Sequence, residues 1–292
     1  MSKRYKLKID FYSDWIEYLK SQLTHLGYAD RQVKEKYCLY YFNALHRMIV
    51  PVPRKVLFSM EFSCPTEHIQ TIETIKDRIE QGLDITPYLS KNIKKQDYHD
   101  KLLNEWGIYH LHLGQERESS KFIERTKDLL FVRFDERYAY FLKVMSHGDW
   151  AKSEMVEIVH KNWPDRIKQF RLAGVHIEEN MSEEDRRKLR KAGANTLFIS
   201  KDGTVYAPIG GGYTIPGISI NVVRTCDYIK KRIELAERDV VNNFDNIVKE
   251  EILPRGIALD RVVMLNLEIK NNRLYVMEKS RKFAIDYGDL LW

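Results

Sequence analysis

The sequence predicts an α+β protein: small antiparallel sheets with helices packed around them as one compact, multi-segment body. Three observations lead there. Apolar residues recur at helical spacing in several segments and alternate at strand spacing in others. Turn dipeptides, Asp202-Gly203 and Asn271-Asn272, separate pairs of strand-like runs. No internal repeat or low-complexity linker interrupts the 292 residues, a length that sustains a substantial core.

Residues 1–90 read as a mainly helical segment. Ser13 stands where it can cap a helix from Asp14, with Trp15, Leu19, Leu23 and Leu26 on one face. A second helix is expected over residues 30–49, carrying Val33, Tyr37, Tyr40, Tyr41, Ala44, Leu45 and Met48, and Pro51 and Pro53 end it. Residues 56–62 read as a strand. Thr66 then opens a helix with Ile69, Ile72, Ile75 and Ile79 on its apolar stripe, and Gly82 stops it.

Residues 91–175 form a second segment, with a basic entrance at Lys91, Lys94, Lys95 and Lys101. Strands are expected over 107–113, 129–134 and 138–146, followed by a helix from Gly148-Asp149 to Trp163-Pro164. Residues 176–292 form the third segment. It holds a charged helix over 178–190, a hairpin of 195–200 with 204–207, and the glycine loop Gly210-Gly211-Gly212. A long amphipathic helix over 219–252 and a hairpin of 262–269 with 274–278 close the chain.

A formal charge of +6 is compatible with nucleic-acid binding but is spread along the chain. Cys38, Cys64 and Cys226 are far apart and form no CxxC pair, which points to reduced thiols rather than a disulfide scaffold. The basic start lacks the apolar stretch of a signal peptide, and no run reaches the roughly 18 apolar residues of a membrane span. A cytoplasmic protein with no membrane partner is expected.

Five of the nine histidines fall between His99 and His160. Strand alternation puts Tyr109, Leu111 and Leu113 on one face and His110 and His112 on the other. The same parity sets Arg133 against Leu130, Val132 and Phe134, and sets Lys143 and His147 against Tyr140, Leu142 and Val144. With each apolar set turned to the core, and Asp135-Glu136-Arg137 as a three-residue loop, the five polar residues share one face. A one-residue slip in register would invert a strand.

Such a cluster suits phosphoryl chemistry on RNA without a metal. Cleavage through the 2′-hydroxyl needs a base, an acid and cations for the phosphorane. His110, His112 and His147 can divide the proton transfers, and Arg133 and Lys143 supply fixed charge. The runs WGIYHLHLG, LLFVRF and YAYFLKVMSHGDW, over residues 107–150, resemble the small sheet of RelE-like endoribonuclease toxins. That resemblance implies basic and imidazole side chains on an exposed face of a few antiparallel strands.

Other readings stay open. His110-x-His112 followed by Glu116 resembles the first metal motif of cupins, with His147 as a further ligand to a divalent transition metal, though the second cupin motif is absent. The histidines can equally be hydrogen-bonded residues without chemistry. A third possibility is a partner-binding component of a bacterial defence or toxin–antitoxin system, using the tyrosine-rich helix around 37–41 or the long helix at 219–252 against a protein such as an antitoxin. Asp97, His99 and Asp100 are candidates to support the site from behind. The glycine loop lacks the Lys-Ser/Thr of a phosphate-binding loop, so a strand-to-helix turn is the simpler account. Arg224, Lys230, Lys231 and Arg232 are candidates for backbone contacts to nucleic acid.

Overall fold

The computed structural model describes residues 4–30, 33–115, 122–146, 153–177, 181–280 and 282–291. The first half of the chain contains β1 (Lys6–Lys8), α1 (Phe11–His25), α2 (Tyr37–Arg47), β2 (Lys55–Phe58), α3 (Ile69–Glu80), α4 (Lys101–Trp106), β3 (Ile108–His112), β4 (Asp128–Phe134) and β5 (Tyr138–Ser146). The second half contains α5 (Glu154–Asn162), α6 (Glu183–Lys191), β6 (Phe198–Ile199), β7 (Val205–Tyr206), α7 (Ile220–Ile247), β8 (Val262–Lys270), β9 (Arg273–Glu278) and β10 (Ala284–Asp289). The class is α+β. The chain divides into two compact units, Met1–Phe42 with Val223–Trp292, and Asn43–Val222. Their borders fall inside α2 and the start of α7, not at the ends of the three consecutive segments read from the sequence.

In the first unit the sheet runs β1-β8-β9-β10, with β1 parallel to β8 and the rest antiparallel. Asp10, not Ser13, caps α1: its carboxylate accepts from the Ser13 amide at 3.0 Å, and the helix starts three residues earlier than expected. Trp15, Leu19 and Leu23 are buried as the spacing predicts, and Leu26 is the C-cap. Asp14 ties α1 to β8 by accepting from the Leu267 amide at 2.7 Å. The expected helix over 30–49 shrinks to α2 after a 3₁₀ turn at Lys34–Lys36. Asn271 and Asn272 both have positive φ, 49° and 60°, the requirement of the tight hairpin turn between β8 and β9. Cys38, Cys64 and Cys226 are free thiols.

The second unit is built on the sheet β2-β5-β4-β3, with β2 parallel to β5 and β3 at an edge. Helix α3 covers one face, where Ile72, Ile75 and Ile79 pack with Leu111, Leu130, Val132, Phe141 and Val144. The opposite face is also covered. There Trp106, Ile108, Phe131, Tyr140, Leu142 and Met145 pack with Met155, Val156 and Val159 of α5. A sheet buried on both sides explains the near-continuous apolar runs of β4 and β5.

Asp135-Glu136-Arg137 is the expected three-residue loop, held by the Asp135 carboxylate, which accepts from the amides of Arg137 and Tyr138 at 2.9 and 2.8 Å. The pairing then shifts between Phe131, opposite Lys143, and Val132, opposite Phe141. This bulge leaves Leu142 as an extra residue. Tyr140, Leu142 and Val144 therefore do not share one face as alternation alone predicts. Tyr140 and Leu142 join the core on the histidine side, and Val144 joins the core under α3.

Candidate functional site

Residues directly opposite each other in a sheet point to the same side. Ile108 faces Arg133, His110 faces Phe131, His112 faces Leu129, and Phe131 faces Lys143. His110, His112, Arg133 and Lys143 thus lie on one face. They do not all converge. Arg133 is half-buried and donates to the carbonyls of Trp106 at 3.1 Å and Ile209 at 3.4 Å. Lys143 donates to Glu154 at 2.7 Å. His147 and Glu116 lie outside the described residues.

What His110 and His112 do share is a cleft of about 420 Å³, lined also by Tyr98, His99, Asp100 and Arg125. Ser90 accepts from the Asn92 amide at 3.3 Å and starts the 3₁₀ turn that forms part of its wall. Asp100 is the central group. Its Oδ1 accepts from the Leu103 amide at 3.1 Å and so caps α4, while its Oδ2 lies 3.6 Å from His110 Nδ1. The cap holds the carboxylate in the orientation that meets the imidazole. The rings of His110 and His112 stand 6.5 Å apart at 79°. His112 is only 4 % exposed, so its reach into the cleft is set by packing.

The other cleft residues differ in availability. Lys101 donates its amine to the Arg190 carbonyl at 2.8 Å, leaving mainly its stem on the cleft wall. Arg125 is exposed and near enough to Tyr98 for its charge to act on the phenol. Burial is the main cause that pushes the Tyr98 phenol up and the His99 imidazole down, the latter helped by the charge of Arg47. The sequence reading placed His99 and Asp100 as supporting groups and did not single out Tyr98 or Arg125. Asp100 carried a usable signal, an acidic cap ahead of Leu102-Leu103. Arg125 carried none, because it sits in a loop without periodicity.

Behind Asp100, the half-buried His46 donates from Nε2 to Asn104 Oδ1 at 3.0 Å, and Asn104 donates to the Gly217 carbonyl at 2.9 Å. Burial is the main cause that lowers the His46 pKa. The folded form therefore binds this proton at lower pH than the unfolded chain, whose histidines titrate near about 6.5. The unfolded state holds more protons as the pH falls, so stability drops as pH goes down through about 6.5 and is retained above it. Urea titrations across that range are expected to show this slope, and His46→Gln to flatten it.

The glycine loop belongs to packing. Gly210 and Gly212 donate their amides to the carbonyls of Glu105 and Asn104, both at 2.8 Å, and so satisfy the free C-terminal carbonyls of α4. A Cβ at Gly210 would come within 2.4 Å of the Gly107 nitrogen and the Leu103 oxygen. Gly210→Ala is expected to cost about 1–3 kcal/mol in urea unfolding, because the obstacle is backbone. Arg224, Lys230 and Lys231 are exposed on α7, and Arg232 donates to the Tyr287 carbonyl at 2.7 Å.

Among the described residues, the group of three donors close enough to share one metal ion is Glu67, His68 and Asp128. No protein-family model matches the chain, and no curated protein or solved structure matches it either. Among the described residues, no helix is long and apolar enough to cross a membrane.

Proposed function

We propose that the chain is a cytoplasmic endoribonuclease that cleaves RNA in the His110–His112 cleft without a metal at that site, in the manner of the RelE-like toxins that residues 107–150 resemble. The observation that carries this reading is the pair of imidazoles at one cleft, one of them facing a fixed carboxylate. His110, with Asp100 stabilising the imidazolium that forms, takes the proton of the 2′-hydroxyl. The 2′-oxygen attacks phosphorus, the bond to the 5′-oxygen breaks, and His112 protonates that leaving oxygen. The products are a 2′,3′-cyclic phosphate and a 5′-hydroxyl. Arg125 replaces Arg133 and Lys143 as the cation for the developing charge, since those two are held by Ile209 and Glu154. A protein partner that blocks the cleft, as an antitoxin would, fits a defence role.

The test is incubation of the purified chain with single-stranded RNA in EDTA. Cleavage to cyclic-phosphate ends is expected. Cleavage that appears only with added metal, by a chain that circular dichroism shows folded in EDTA, sinks the metal-free mechanism, and no cleavage of any RNA by the folded chain sinks the reading.

A further inference from the structure

A second group of polar side chains lies on the other face of the same sheet. Asp128 begins β4 and alternates with Leu129, the partner of His112. It therefore points to the α3 side, away from the histidine cleft. Pro65 leads into a 3₁₀ turn, Thr66–His68, which delivers Glu67 and His68 at the start of α3. The ligand atoms of Glu67, His68 and Asp128 all lie within 4.8 Å of one another. His68 Nε2 and Asp128 Oδ2 are 3.6 Å apart. Two donors each about 2.1 Å from one ion stand about 3.0–3.4 Å apart at octahedral to tetrahedral angles, so a small side-chain movement closes the group on a metal.

Three further features favour a cation over a plain ion pair. Asp128 Oδ1 accepts from the Ser146 hydroxyl at 3.0 Å, which keeps Oδ2 turned to His68. Outer hydrogen bonds of this kind orient the ligands of metal sites. The Asp128 carbonyl accepts from Thr126 Oγ1 at 2.6 Å, and that oxygen accepts from the Leu113 amide at 3.0 Å, so the backbone under the carboxylate is fixed. Two carboxylates against one imidazole leave net negative charge that a divalent ion offsets.

We infer that Glu67, His68 and Asp128 form a zinc-type site that clamps the turn before α3 to the start of β4. One imidazole and two carboxylate oxygens make a three-donor set suited to zinc, with water in the fourth position. The role is structural, because the site faces away from the histidine cleft.

Zinc and cobalt titrations of the EDTA-treated full chain test this, with circular dichroism confirming that each variant folds. One zinc per chain and a raised melting temperature are expected. His68→Ala and Asp128→Asn should each weaken binding by more than tenfold, and Ser146→Ala by about tenfold. Cobalt should compete with zinc for this one site. Binding unchanged in His68→Ala and Asp128→Asn overturns the site, as does no binding by the folded wild type. Zinc lost in the His110→Ala/His112→Ala double variant but kept in His68→Ala moves the metal to the cleft and also overturns the metal-free mechanism. RNA cleavage that fails while zinc binding follows His68 and Asp128 defeats the ribonuclease reading alone.

Discussion

Replacing either cleft histidine, as His110→Ala or His112→Gln, is expected to lower RNA cleavage by about 10²–10⁴-fold, the usual worth of a positioned acid or base. Both rings serve the same step from opposite ends, so the double variant should lose little more than the worse single one. The fold should survive in both. His110 lies on an edge strand, and glutamine keeps most of the volume of the buried His112. Near-UV circular dichroism separates a chemical loss from unfolding. Wild-type rates in both folded variants would remove the two histidines from the mechanism. The Arg133 guanidinium offers the contrast, because it holds the Trp106 and Ile209 carbonyls and its removal should affect stability before chemistry.

Glu105→Ala should be among the most destabilising single changes in the chain, at about 3–5 kcal/mol. Glu105 and Arg190 are 0 % and 1 % exposed, with Arg190 Nε donating to Glu105 Oε2 at 2.5 Å. The other carboxylate oxygen accepts from Thr196 Oγ1 at 2.7 Å and from the Thr196 amide at 3.3 Å. Arg190 also lies over the Trp106 ring, 4.5 Å from its centre. Removing the carboxylate leaves a guanidinium and two Thr196 donors without their acceptor in a site that water does not reach. A double change, Glu105→Leu with Arg190→Met, should recover much of the loss, since it removes both charges together. Urea unfolding of the three variants measures this. A cost below about 1 kcal/mol for Glu105→Ala would mean that water or a rearranged side chain replaces the pair. The consequence extends to the cleft, because Glu105 belongs to the six-residue helix that Asp100 caps.

The strands that carry the histidines were legible because period-two alternation survives in a short segment. The parity of His110, His112 and Arg133 came from it directly. Across the turn Arg133 pairs with Tyr140, so the even-numbered residues of β5 start on the histidine side, and only the bulge returns Lys143 to it. Parity did not survive in β5, where the bulge at Leu142 adds a residue that only the pairing with β4 reveals. Helix α4 escaped notice for another reason. Six residues make fewer than two turns, too few to show a stripe, and its ends are set by Asp100 and Gly107. The strands β1 and β10 were missed because a three-residue run and a run broken by Gly288 show no clear alternation.

By itself the sequence determined what depends on neighbours along the chain: the helical stripes, the strand faces, the asparagine turn, and the crowding of histidines into the middle of the protein. Convergence was decided only by the tertiary structure. Arg133 left the cleft because two distant carbonyls needed a donor, and Asp100 entered it because the cap of α4 aims one of its oxygens at His110. The glycine loop became a packing surface because the end of α4 required its amides. Each of these is a pairing between residues far apart in sequence. Local periodicity carries no information about such partners, since a polar group bonds to whichever group the folded chain brings within reach.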